Sequence, residues 1–176
     1  MIVLVIAPGI RALAYAVMVF EEHILRAKVI DFDVMHHQTF RKFSFSSLAD
    51  LINRASVHWL LLSVCFERYT PDLVVLGPPA QNKEPGDYVE ACRRVIRTAT
   101  VTGNIPTIEY QTDAEMWMDM RINRRLVHDL ISTVVSNCPN NRFAVRTLCG
   151  GIAGASQMME LRIPDVLRET RDLDEL

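Results

Sequence analysis

Ile6-Ala7-Pro8-Gly9-Ile10-Arg11-Ala12-Leu13-Ala14-Tyr15-Ala16-Val17 lies inside an almost wholly apolar opening, Met1 to Phe20. How that opening is read decides the fold. A membrane span needs an unbroken apolar stretch, and a secretion signal needs a basic leader ahead of one. Here Pro8 and Gly9 break the run at its middle, Arg11 follows them, and no basic leader stands in front. Two short buried strands, Ile2–Ile6 and Leu13–Phe20, joined by a Pro-Gly turn, account for the run better than insertion or export. A third strand is expected over Ile24–Phe32, with Leu25, Ala27, Val29 and Asp31 on one face and Arg26, Lys28 and Ile30 on the other. Three strands with short connections predict an antiparallel meander.

Downstream the period changes. Ser46-Ser47 offers a helix cap. Leu48, Leu51, Ile52, Ala55, Trp59, Leu62 and Phe66 follow at helical spacing. Leu73–Leu76 is all apolar, the pattern of a strand buried on both faces of a parallel sheet. Asp87–Thr102 reads as a second helix with Tyr88, Cys92, Val95, Ile96 and Ala99 inward, stopped by Gly103-Asn104. Ile105–Tyr110 is a fifth strand. Thr112 with Glu115 three residues on forms a capping box for the next helical stretch. Asn123–Val135 is amphipathic, Pro139–Arg142 reads as a loop, and Ala144–Leu161 is a closing helix rich in small residues. Strand trio, then helix–strand alternation, then helices predicts an α/β domain: a mixed five-stranded sheet, three antiparallel strands followed by parallel ones, covered by helices. Residues 1–161 form one domain, and 162–176 form an acidic tail.

With 176 residues, 49% apolar and 23% charged, the chain is long enough for a sizeable core. A net charge of −2 lacks the basic excess of a general nucleic-acid binder, so any such contact rests on a local basic face. Cys65, Cys92, Cys138 and Cys149 form no CxxC pair and have no His at zinc-finger spacing. They read as buried thiols of a reducing compartment, which makes the cytoplasm the expected location.

The quoted stretch and its successors resemble the RuvC Holliday-junction resolvases, within the RNase H-like superfamily. In that family the first strand ends in Asp-Pro-Gly and continues into a Gly-Tyr strand; here Pro8, Gly9 and Tyr15 match, and Ala7 stands where the family has Asp. Pro71-Asp72 opens the fourth strand as the family's Pro-Asp does, while Gly77, or Leu76 in a shifted register, replaces the Glu that closes it. Asn82, Ile105-Pro106-Thr107-Ile108-Glu109-Tyr110 and Asn123-Arg124-Arg125-Leu126-Val127-His128 are similar to the segments that follow. The family's last helix carries an Asp-rich motif before its small residues. Gly150-Gly151-Ile152-Ala153-Gly154-Ala155 keeps the small residues, but no Asp or Glu occurs between Asp129 and Glu160.

The resemblance implies the RNase H-like fold and a DNA-binding homodimer. In the family four acids hold two Mg²⁺ ions; here all four matching positions are non-acidic. A hard dication needs oxygen ligands to offset partial dehydration, and neither Ala7 nor Gly77 has one. The resemblance therefore implies a pseudoenzyme that needs no metal and binds branched or duplex DNA, or serves as an assembly partner. An active endonuclease would need relocated ligands, for which Asp31, Asp33 and Glu109 are the substitutes, with Mg²⁺ as cofactor. A purely structural module without nucleic acid is the third reading.

Other residues bear on these readings. Lys83, Arg93, Arg94 and Arg97 on one helix and its loop, with Arg121, Arg124 and Arg125 on the next segment, form the candidate phosphate-contacting set. The opposing reading is a solvated face balanced by Glu84, Asp87, Glu90 and Asp119. Met116, Trp117, Met118 and Met120 suit either core or an adaptable surface for self-association or a protein partner. Adjacent His36-His37 rarely chelate one ion. His58 and His128, on helices, lack an accompanying nucleophile signature. Gly150-Gly151-x-x-Gly154 lacks the Lys-Ser/Thr of a phosphate loop and reads as a place where helix meets sheet closely.

Overall fold

A computed structural model describes residues 1–8, 12–21, 27–36, 48–79, 86–120 and 141–162. Its elements run β1 (Ile2–Ala7), β2 (Ala12–Phe20), β3 (Ala27–His36), α1 (Leu48–Tyr69), β4 (Leu73–Leu76), α2 (Gly86–Thr102), β5 (Thr107–Glu109), α3 (Asp113–Met120) and α4 (Asn141–Arg162). The five strands form one sheet in the order β3-β2-β1-β4-β5. β1, β2 and β3 pair antiparallel, and β1, β4 and β5 pair parallel. This is the mixed sheet expected from the sequence. The apolar opening is β1 and β2 of its centre, and no described helix is long and apolar enough to cross a membrane.

Alternation along the strands divides the core in two. Val3, Val5, Ala16, Met18, Leu73 and Val75 face α3 and α4, against Met116, Leu148, Ile152 and Ala153. Leu4, Ile6, Leu13, Val17, Val74 and Leu76 face α1 and α2, against Leu62, Cys65, Ile96 and Ala99. The central strands are apolar at every position because both faces are covered.

The glycines of α4 set how close it lies. A Cβ on Gly150 would come 3.2 Å from Val5 Cγ1, and one on Gly151 2.7 Å from Val5 Cγ2. A Cβ on Gly154 would overlap Val75 Cγ2. The small residues thus seat the α4 backbone directly on the middle of the sheet.

The helix ends follow their cues. Thr112 Oγ1 accepts from Glu115 N at 3.2 Å, and Glu115 Oε2 accepts from Thr112 N at 3.3 Å, a reciprocal capping box. After α2, Asn104 takes the left-handed conformation (φ 52°), with Ile105 N donating to Thr100 O and Asn104 N to Val101 O, a Schellman stop.

Four details depart from the sequence reading. β3, described over Ala27–His36, runs on past the expected end at Phe32, while residues 24–26 lie outside the described residues. A bulge between Val17/Met18 and their partners leaves Ile30 unpaired, so Val29 and Asp31 point to opposite faces rather than sharing one. The buried stripe of α1 runs through His58, Leu62 and Cys65, which turns Trp59 outward, 43% exposed. Asn141 and Arg142 belong to α4, not to the preceding loop. Cys65, Cys92 and Cys149 are buried, and none forms a disulfide among the described residues. The expected Asn123–Val135 helix, Cys138, His128 and the acidic tail lie outside the described residues.

Candidate functional site

β1 and β4 are parallel neighbours that end together. Ile6 pairs with Leu76, so Ala7 and Gly77 follow side by side. A Cβ on Gly77 would stand 3.8 Å from Ala7 Cβ. Strand alternation turns both toward α4. The two positions that the resemblance picks out, seventy residues apart in sequence, are therefore adjacent in space at one mouth of the sheet. Neither has a side-chain oxygen, and Ala7 is 7% exposed.

Seating of Gly150 on the sheet carries Arg146, one turn earlier, to this mouth. Arg146 Nε donates to Asp113 Oδ1 at 3.0 Å and Nη2 donates to Pro79 O at 2.9 Å, two residues beyond Gly77. Nη2 also pairs with Asp113 Oδ1 at 2.9 Å. Cys149 lies on the same side of α4; burial, and then the Asp113 charge, push its thiol up to about 12, so it is no nucleophile near neutral pH. The one cue to this guanidinium in sequence is its place four residues before Gly150.

The relocated set does not converge. Asp31 and Asp33 lie on the α1 and α2 side of β3, while Glu109 lies on β5 at the other edge. Four strand spacings, roughly 19 Å, separate the two edges. Asp31 instead accepts from Tyr69 OH at 2.6 Å and Tyr15 OH at 3.2 Å, tying the end of α1 to the sheet. Burial first, then Asp31, raises the Tyr15 hydroxyl; the same pair of causes lifts the Cys65 thiol to about 11. Asp33 Oδ1 accepts only from its neighbour Val34 N, at 2.7 Å, among the described residues. No described group of three His, Cys, Asp or Glu is arranged to hold a metal.

Arg93 corrects the expected basic face. Its place beside Arg94 and Arg97 in the sequence predicts a phosphate-contacting residue, but it is 2% exposed. Its Nε donates to Glu109 Oε1 at 2.7 Å, Nη1 to Gly77 O at 2.8 Å and Nη2 to Tyr110 O at 3.0 Å. It thereby binds α2 to the ends of β4 and β5. Arg97 grips the same carboxylate through Nε at 2.8 Å and Nη2 at 2.6 Å, and reaches Glu90 Oε1 at 2.7 Å. Arg94 remains on the surface, with a 3.5 Å contact to Glu90. Lys83, Arg121, Arg124 and Arg125 lie outside the described residues.

Burial works to raise the Glu109 carboxyl, but the Arg97 and Arg93 guanidiniums outweigh it and hold the group below its ordinary range. A depressed folded value means that the stability it contributes is complete above the ordinary carboxylate pKa. That contribution disappears as pH falls through the folded value. Urea titrations from pH 7 to pH 3 should show an acid-side loss that is smaller in Glu109→Gln, whose amide cannot titrate.

Met116 and Met120 are core residues, while Trp117 and Met118 are 49% and 63% exposed. The four-residue cluster thus splits between the two readings weighed for it.

No family model matches the sequence, and no curated protein matches it. Solved structures do. Thermus thermophilus RuvC superposes with a TM-score of 0.68 at 16% identity, over 93% of this chain and 97% of that one. The chain has the RuvC fold. T. thermophilus RuvC solved in complex with Holliday junction substrate gives 0.65 at 14% identity, over 90% and 95% of the two chains. The yeast mitochondrial Holliday junction resolvase gives 0.67 at 11%, over 91% and 80%. The RuvC fold accounts for the strand order and for helices on both faces of the sheet. Its central strand ends, here Ala7 and Gly77, are the positions at which the resemblance called for acids.

Proposed function

We propose that this protein binds DNA, four-way junctions foremost, on a RuvC-type scaffold and does not cut it through bound divalent metal. The observation that carries the reading is the adjacency of Ala7 and Gly77. Two carboxylates at such a distance would bridge an ion, and these residues offer it nothing. Beside them stands Arg146, a fixed cation already matched by Asp113. Junction binding is supported by likeness in fold to a RuvC solved with a Holliday junction substrate.

Arg94 and the open side of Arg97, with Lys83, Arg121, Arg124 and Arg125, would meet phosphates; the buried Arg93 leaves that set. A net charge of −2 makes the binding weak and strongly salt-dependent. Trp117 and Met118 would carry contacts to a second copy or a protein partner.

Gel-shift and nuclease assays on a labelled four-way junction test the reading. The expected result is retention at low salt in EDTA, lost in Arg94→Glu/Arg124→Glu, with no incision in Mg²⁺ or Mn²⁺. Metal-dependent incision that vanishes in a folded Asp31→Ala preparation overturns it. A restored site gives a second check. A Cβ on Gly77 makes only ordinary contacts, 3.4 Å from Ile6 O at the nearest, so Ala7→Asp/Gly77→Glu should fold. Mn²⁺ at 5 mM, about a hundredfold above the Kd of a working site, should raise the variant's melting temperature through ~2.7 kcal/mol of linkage. The wild type should not respond.

A further inference from the structure

We propose that the outer edge of β5 is a docking site for an extended, basic peptide segment of a partner protein. Among the described strands β5 ends the sheet, with β4 on its inner side. Val74 N donates to Pro106 O and Tyr110 N donates to Leu76 O, so the groups of Pro106, Ile108 and Tyr110 turn inward. Alternation then directs the N–H and C=O of Thr107 and Glu109 away from the sheet. An added strand can pair with those groups, and this mode of peptide capture takes its affinity from backbone bonds and its specificity from side-chain clefts beside the edge.

Such a cleft is present. About 460 Å³ in volume, it lies between β5, α3 and α4 and is lined by residues including Thr107, Glu109, Glu115, Met118, Asp119 and Gln157. Among the described residues its lining holds three carboxylates and no Lys or Arg. Glu109 is matched by Arg93 and Arg97. Among the described residues Glu115 and Asp119 form no ion pair, yet both are held in place. Asp119 accepts from Tyr110 OH at 2.8 Å, and Glu115 Oε2 accepts from Gln111 N at 2.9 Å as part of the helix cap.

Two fixed carboxylates beside a strand edge, with no ion-pair partner among the described residues, favour a Lys or Arg side chain and repel phosphate. The exposed thioether of Met118 offers an adaptable apolar contact for the aliphatic stem of that side chain. The acidic run Asp165–Glu175 of this chain has the wrong sign to be the occupant.

The test uses the full chain and two fluorescein-labelled decapeptides of alternating Thr with Lys or Thr with Glu, read by anisotropy and by amide NMR shifts. The Lys peptide should bind and move the Thr107 and Glu109 amides, while the Glu peptide should not bind. Glu115→Gln/Asp119→Asn keeps both hydrogen-bonded geometries and removes two charges. It should weaken the Lys peptide about tenfold, two exposed pairs' worth. Thr107→Pro removes one outward N–H at an edge position that tolerates proline, and should abolish binding without a change of charge. The proposal is overturned by equal binding of the Glu peptide, by indifference to both variants, or by amide shifts confined to other surfaces. Self-association of the wild type that Thr107→Pro abolishes also overturns it, by making a second copy the occupant.

Discussion

Arg93→Ala should lower the unfolding free energy by about 3–5 kcal/mol, whereas Arg94→Ala, one residue along the same helix, should change it by less than about 0.5. The contrast follows from what each guanidinium leaves behind. Removing Arg93 takes one of two guanidinium partners from a Glu109 carboxylate that is only 19% exposed, leaving Arg97 alone to hold it. It also orphans the carbonyls of Gly77 and Tyr110 in the interior. A weakened ion pair, the space left by a buried side chain and above all two unsatisfied acceptors each carry their own cost. Arg94, 76% exposed, gives up only a long surface contact with Glu90. Denaturant midpoints at pH 7 with unchanged m-values would show the difference. If the two variants proved equal, Arg93 would not be the fastener between α2 and the ends of β4 and β5. Arg93→Ala should also weaken junction binding only in step with unfolding, while Arg94→Glu should weaken it in a fully folded protein.

The second large effect is at Gly154. Gly154→Ala should destabilise by about 2 kcal/mol even though alanine is the better helix former by about 1 kcal/mol. The added methyl would overlap Val75 Cγ2, and a β-branched side chain inside β4 has no other rotamer to retreat into. Gly150→Ala sets the control. Its methyl would sit 3.2 Å from Val5 Cγ1, a contact that a few tenths of an ångström relieve. The helical gain should then bring the net change to within about 0.5 kcal/mol. Val75→Ala should rescue much of the Gly154→Ala loss, and a double-mutant cycle on the two positions should return a coupling above ~1 kcal/mol. Absence of coupling would mean that α4 has freedom to lift from the sheet.

Both cases show why some of the site was legible in sequence and some was not. The strand–turn–strand opening was legible because Pro8-Gly9 interrupts an apolar run at a length suited to strands and not to a span. The small residues of α4 announced close helix–sheet contact, since only a missing side chain permits it. Ala7 and Gly77 could be picked out only through the resemblance, by their places next to the matching Pro8-Gly9 and at the end of the strand that Pro71-Asp72 opens.

Arg93 was not legible. Arg93, Arg94 and Arg97 look alike in sequence, and helical geometry assigns a face only relative to a packing partner that the sequence does not name. The bulge at Ile30 was likewise invisible, because one unpaired residue shifts the facing of everything beyond it and leaves no compositional trace. That shift placed Asp31 under Tyr15 and Tyr69 as a structural tie.

The sequence by itself determined the order of the described elements and the two-sided burial of the central strands, for these depend on local period and on residue identity. Tertiary structure alone decided that Ala7 and Gly77 are neighbours, that Arg146 reaches their mouth of the sheet and that Arg93 lies inside. Those are contacts between residues distant along the chain. Only the register of parallel strands and the seating of helices on the sheet brings them within ångströms of one another.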